Sequence, residues 1–503
     1  MTMTRRTVLG ALVGTATLAL TGLSAAPALA HGDQQGDLPT NSRAATVAES
    51  GTGEEMSFVA NLQYNDSGEA QNGSDVEFVK VGKKEYALAG TLRGGMQIVD
   101  ITDPENPSVA AVYDCAVSQG DIQVWKNDGR VLASYTADGT FGTAGAASRC
   151  GRDLGLRPDA SGTVIVDLTS PTSPQTVSYL HVPRGSHNMT IHPSGEYLYN
   201  SNSDLITSTS PAITIYDVSD PARPKWVKDY AIPFVPTSLG SESHDITFNE
   251  DGTRAYSAAL SQTLILDTTD PTSPTQVAQV VDPAVNVAHQ SDPVTLTRED
   301  GTEREVLIVT DERAGAAASA ECPGGGLHLY DITGDLEMAP EKIGTWFIPA
   351  ATVQDGSTCT SHVLRVYEDQ EMLTIAWYAQ GVRVLDISGL ADLEGSPTTV
   401  GIGDGAGMRE VGNYALEDSD TWSFKTNRIA ADGSFYGYGN DLVRGFDVYK
   451  FSGAGLSVPP LEPTDLGSSR REHRGKAMAS SAVIIGPAML VAAAVRRRTR
   501  QQS

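Results

Sequence analysis

Four histidines recur in one local setting: Ser186-His187-Asn188, Ser243-His244-Asp245, Ala288-His289-Gln290 and Ser361-His362. Neutral imidazoles brought to one point would bind Cu or Zn through their ring nitrogens. Glu242, Asp245 and Asp292 lie nearby in the chain as possible further ligands or hydrogen-bond acceptors. The plainer alternative is that each histidine bonds a neighbouring backbone group and fixes its own segment. His192 and His328 fall in turn or strand positions and read as structural. No Gly-x-Ser-x-Gly elbow, P-loop or His-Glu-x-x-His is present, so no catalytic residue is assigned and the cofactor expectation stops at Cu or Zn. Gly403-Asp404-Gly405-Ala406-Gly407 reads as a flexible loop.

Positioning such residues requires a repeated scaffold, and the sequence contains one. Gln97-Ile98-Val99-Asp100-Ile101-Thr102-Asp103-Pro104 returns as Val164-Ile165-Val166-Asp167-Leu168-Thr169-Ser170-Pro171, as Thr214 to Pro221 and as Leu264 to Pro271. Weaker copies end in Tyr330-Asp331-Ile332-Thr333, Leu385-Asp386-Ile387-Ser388 and Phe446-Asp447-Val448, making seven aspartates spaced 67, 50, 50, 64, 55 and 61 residues apart. The carboxylates read as turn-builders that accept backbone N–H groups. Around each copy, β-rich runs punctuated by Gly, Pro, Asn and Asp give four strands, a to d. Four antiparallel strands per unit, seven units and no helical periodicity predict an all-β chain, a seven-bladed β-propeller over residues 56–452.

Two details of register follow. Ser74, His187, His244 and Lys425 each lie eight residues before a glycine (Gly82, Gly195, Gly252 and Gly433), which aligns Lys425 with the histidines at the start of strand a. Gly120 takes that position in unit 2. Unit 7 stops after strand c, whereas the run Ser57 to Tyr64 looks like an isolated strand d. The N-terminal run is therefore expected to complete blade 7 and remove two sheet edges.

The Val-Ile-Val-Asp-Ile-Thr-Asp-Pro element resembles the LVIVD repeat of bacterial and archaeal surface proteins, over roughly residues 56–451 and most closely in units 1–4. Units 5 to 7 depart from the pattern, with Gly334 and Gly389 where the first proline's turn would form. The resemblance implies a propeller at the cell surface and, by itself, no reaction. The histidine set is also similar in kind to that expected of copper-containing methanethiol-oxidase propellers.

Other features give an address. Thr4-Arg5-Arg6, an apolar run and Ala28-Leu29-Ala30 resemble a twin-arginine export signal over residues 1–30. A linker is expected over 31–55 and another over 453–476. Ala477 to Val495 holds no charge and would span roughly 28 Å as a helix, followed by a basic cytoplasmic tail over 496–503. Formal net charge is −26 for the chain and −35 for residues 31–469, a surface that repels nucleic acid.

Cys115, Cys150, Cys322 and Cys359 fit an exported chain with two disulfides. Strand parity puts the d–a and b–c connections on one face, which pairs Cys115 with Cys150 and Cys322 with Cys359. The longest loops share that face and mark it for binding. The expected function is a membrane-anchored, extracytoplasmic binding module for a protein or glycan of the cell envelope. The alternative is a metal-dependent, copper-like enzyme, an oxidase, built on His187, His244, His289 and His362.

Overall fold

The seven predicted units form seven antiparallel strand sets in the computed structural model, which describes residues 50–65, 70–237, 239–313, 323–349, 358–457 and 464–465. Blade 1 comprises Gly73–Val81, Lys84–Thr91, Met96–Asp100 and Ser108–Tyr113 as strands a to d. Blade 2 is Gln119–Asn127, Arg130–Thr140, Ser161–Asp167 and Gln175–His181; blade 3 is Asn188–Ile191, Tyr197–Ser201, Ala212–Asp217 and Lys225–Ala231. Blade 4 is Asp245–Phe248, Arg254–Ala258, Thr263–Asp267 and Thr275–Val280; blade 5 is Ala288–Thr297, Glu303–Asp311, Leu327–Asp331 and Glu341–Phe347. Blade 6 is Leu364–Tyr367, Met372–Ala376, Val382–Asp386 and Met408–Leu416. Blade 7 takes strands a to c from Thr421–Lys425, Phe435–Asp441 and Gly445–Phe451. Its fourth strand is Met56–Leu62, so the N-terminal run closes the ring as expected.

Burial explains the pattern of residues. Strands b and c carry apolar side chains on both faces because each sheet is covered on both sides by neighbouring blades; Val164, Ile165 and Val166 are all fully buried. Strand d alternates, since its outer edge meets solvent. Every c–d pair also contains a register shift that leaves one extra residue in strand d. The extra residues are Ala110, Val177, Val227, Val277, Ile343, Val411 and Val59, each set into or against an inter-blade core. A bulge at a fixed place bends and twists each outer strand alike. Val59 in the N-terminal strand has the same bulge as the other six, which identifies Met56–Leu62 as a true strand d.

The repeated aspartates do build turns. Oδ1 of Asp100, Asp167, Asp217, Asp267, Asp331 and Asp386 accepts the N–H of Thr102, Thr169, Ser219, Thr269, Thr333 and Ser388 at 2.8–3.0 Å. In three blades the threonine hydroxyl then accepts an N–H from the start of strand b, at Glu85, Val131 and Glu305. Asp447 is different. The bulge places Lys450, not Asp447, at the repeat position, because Val448 and Tyr449 flank the register shift. Asp447 is instead buried against Arg444, with Asn61 of the closing strand donating to it at 2.8 Å.

Two further expectations change. Within the stretch assigned to a linker, Gly51–Glu54 forms a strand that pairs with strand d of blade 6. Gly403 to Gly407 is not a loose loop: Val400–Ile402 pairs in parallel with strand d of blade 5, and Asp404–Gly405 returns toward strand d of blade 6. Among the described residues no helix is long and apolar enough to cross a membrane. The expected export signal, membrane segment (477–495) and tail lie outside the described residues.

Deleting residues 50–64 exposes the edge of strand c in blade 7 and removes Asn61 from buried Asp447. The truncated chain is expected to melt well below the full chain and to self-associate, as read by thermal denaturation and size-exclusion chromatography.

Candidate functional site

The start of strand a is where the blades come closest, and the four histidines meet there. His187, His244, His289 and His362 are each no more than 2% exposed. Their rings form a consecutive arc, with centroids 4.3, 4.2 and 4.3 Å apart from His187 to His362. Gln119 of blade 2 stands beside His187, its Nε2 3.4 Å from the His187 Nε2. Trp422 of blade 7 packs edge-on to His362 at 4.9 Å. The eight-residue alignment is therefore corrected. Gln119 rather than Gly120, and Trp422 rather than Lys425, continue the arc in blades 2 and 7. Lys425 lies farther along its strand and bonds Asp75 at 2.6 Å and Glu77 at 2.9 Å.

The carboxylates at the site are not the expected ones. Buried Glu242 accepts from Asn202 at 3.0 Å and from the Ala212 N–H at 2.8 Å, and also pairs with Arg184, which braces two loops. Asp245 accepts from the Ile246 N–H at 2.7 Å, and Asp292 is held by Thr247 at 2.6 Å and Gln290 at 3.0 Å. The acids facing the imidazoles are Asp138, near the end of strand b in blade 2, and Glu312, just past the end of strand b in blade 5. Asp138 Oδ2 lies 3.5 Å from His187 Nδ1. Glu312 spans two rings, with Oε2 3.8 Å from His289 Nε2 and Oε1 3.9 Å from His362 Nε2. One donor atom each from His244, His289 and Glu312 fall within 4.8 Å of one another. Tyr378 completes the group: its hydroxyl donates to Glu312 Oε1 at 2.7 Å and its ring lies 4.5 Å from His362. Burial, then the Glu312 charge, raise the Tyr378 phenol well above its ordinary range and keep it a donor.

The hydrogen-bond partners limit the tautomers. A carbonyl only accepts, so His244 Nδ1 donates to the His289 carbonyl at 3.1 Å, and His362 Nδ1 donates to the Trp422 carbonyl. Neutral His244 therefore presents a lone pair at Nε2, and His187 Nε2 is only 3.0 Å from it. If His187 carries its hydrogen on Nε2, its Nδ1 lone pair faces the Asp138 carboxylate. If the hydrogen is on Nδ1, two lone pairs meet across that gap. The first tautomer makes the Nε2–Nε2 hydrogen bond; a metal ion held by both Nε2 atoms would instead leave the His187 Nδ1–H to point at Asp138.

The loop face is organised as strand parity implies. Cys115 and Cys150 form a disulfide with Cα atoms 5.1 Å apart, tying a d–a connection to the b–c insertion of blade 2. That insertion carries two short helices, Gly142–Ala147 and Arg149–Leu154. With a sequence separation of 35 the bridge contributes about 4 kcal/mol in the chain-entropy view. Cys359 is also disulfide-bonded, and its expected partner Cys322 lies outside the described residues. His192 and His328 are structural, bonded to the Gly252 carbonyl and the Lys342 amine respectively at 2.9 Å.

No protein-family model matches the chain, and no curated protein matches it in sequence. Similar solved structures include the periplasmic gluconolactonase of Pseudomonas aeruginosa, at 12% identity and a TM-score of 0.46, covering 76% of this chain and 97% of that one. A Lactobacillus plantarum protein is similar at 10% identity and a TM-score of 0.44, over 77% and 94% of the two chains. The β-propeller domain of Myceliophteria thermophila Cps50 (Swd1) also has 10% identity and a TM-score of 0.44, over 78% and 99%. No reaction or ligand is carried over from them.

Burial pushes the Asp245 carboxyl up to about 7. The unfolded chain ionises this group near pH 4, so its contribution favours folding fully below that pH and is lost as pH rises to about 7. The stability advantage of Asp245→Asn over the native chain should therefore grow between about pH 4 and 7 and then level off, as read by chemical denaturation across pH.

Proposed function

We propose that this protein is a propeller whose strand-a histidines hold a transition metal, and that it acts as a metal-dependent enzyme of the oxidase type outside the cytoplasm. The observation that carries the reading is the arc of four buried imidazoles, in which one donor atom each from His244, His289 and Glu312 fall within 4.8 Å of one another. His187, His244, His289 and His362 would supply the imidazole donors and Glu312 a carboxylate. Nitrogen-rich sites of this composition suit Cu or Zn. Copper, when bound, would supply one-electron redox chemistry. The protein's own part is to hold the rings: the His289 and Trp422 carbonyls set the tautomers of His244 and His362, and Asp138 backs His187.

The LVIVD-like repeats and the twin-arginine-like leader support a location at the cell surface. The apolar C-terminal stretch supports a membrane anchor. Twin-arginine signals export folded, often cofactor-loaded chains, which agrees with a metal centre assembled before export.

A second reading, a binding module for an envelope protein or glycan, is favoured by Phe234 and Val281. They are 54% and 53% exposed in successive d–a connections on the histidine face.

Elemental analysis of the protein purified from its own host decides between them. The metal reading expects close to one Cu or Zn per chain, lost in a His244→Ala, His289→Ala double variant. Less than about 0.1 metal per chain in the native protein would overturn it and leave the binding module.

A further inference from the structure

Tyr378 sits in the b–c turn of blade 6 with φ +46°, a left-handed conformation that bulky L residues rarely adopt. The turn is closed by Trp377 N–H to the Gly381 carbonyl at 2.8 Å and Gly381 N–H to the Tyr378 carbonyl at 3.0 Å. The Tyr378 carbonyl also accepts from Thr421 N–H, the first residue of strand a in blade 7, at 3.1 Å. An outlier held this firmly marks a position where the side chain's direction matters.

Blade 4 provides an internal control. Leu260 occupies the matching turn with φ +57°, and it exchanges backbone hydrogen bonds with Ala288, the first residue of strand a in blade 5, at 3.2 and 2.7 Å. There the side chain is apolar and packs with Leu205 and Val287. The backbone device therefore needs no hydroxyl. Blade 6 uses the same device to aim a phenol at Glu312, with its ring against His362.

We propose that Tyr378 is a positioning residue of the metal centre: it anchors Glu312 Oε1 so that Oε2 is presented to the arc as a ligand. The inference rests on the metal reading. Carboxylate ligands are commonly fixed by an outer hydrogen bond, and losing such a partner typically lowers metal affinity 10–100-fold.

The test is competition titration of Cu(II) and Zn(II) against a chelator, on the full chain and on Tyr378→Phe, Tyr378→Leu, Glu312→Gln and Tyr378→Phe/Glu312→Gln variants. Tyr378→Phe and Tyr378→Leu, the latter borrowing the blade 4 residue, should each lose about 10–100-fold in affinity with little change in melting temperature. Glu312→Gln should lose at least as much, and the double variant no more than Glu312→Gln alone. The Cu(II) electron paramagnetic resonance spectrum should shift in the same direction for Tyr378→Phe and Glu312→Gln, a change that a purely structural role would not produce. Native affinity in Tyr378→Phe, or losses that add in the double variant, would overturn the inference while leaving the metal centre standing. Failure of the unmodified chain to bind either ion would remove both.

Discussion

Closing seven sheets into a ring forces the first residues of successive inner strands together at one end of a narrow axis, with water largely excluded. Every polar group placed there has to find its partner on a neighbouring blade. His244 bonds the backbone of the next histidine, His362 bonds that of Trp422, and Glu312 reaches two rings and a tyrosine. The same crowding that makes the arc possible makes it costly to leave unsatisfied. Elsewhere the crowding is resolved by charge pairing, as where Lys425 sits between Asp75 and Glu77. At the histidines the rings bond one another and neighbouring carbonyls, and a metal ion held among them would use the same donor atoms.

The outer rim obeys a different rule. Each sheet must bend by the same amount for seven of them to close, and the bulge in strand d supplies the bend. β-Branched residues fill that bulge in six blades and alanine in the seventh, packing inward beneath a strand whose other side chains face water. The aspartate at the end of strand c then locks the turn that leads into the bulged strand. Scaffold and site thus occupy opposite ends of each blade, and the repeat could be kept while individual inner positions diverged.

What was legible in the sequence follows from this division. The rim repeats, so its period, the missing strand d of blade 7 and the Cys115–Cys150 pairing could all be read from spacing and strand parity. The four histidines were found because they also recur. Asp138, Glu312 and Tyr378 were not: each occurs once, near the end of a strand b, and nothing in its neighbours distinguishes it from an ordinary loop residue. A search for lone carboxylates at the ends of the long strands b, beside the histidine position, would have raised two of them. Counting back from the turn glycine failed in blade 7 because strand lengths vary. Lys425 took the position that belongs to Trp422, and Asp447 was counted with aspartates whose true counterpart is Lys450.

The borrowed strand sets an order of events. Asn61 meets Asp447 across 386 residues of chain, so among the blade strands the first to be synthesised is the last to find its partner. Until blade 7 exists, Met56–Leu62 has no edge to join and the ring stands open beside it. The histidine arc spans blades 3 to 6 and is finished by Trp422 of blade 7, which makes its final shape a product of that late step. A chain built this way completes its site only after its whole propeller has been made.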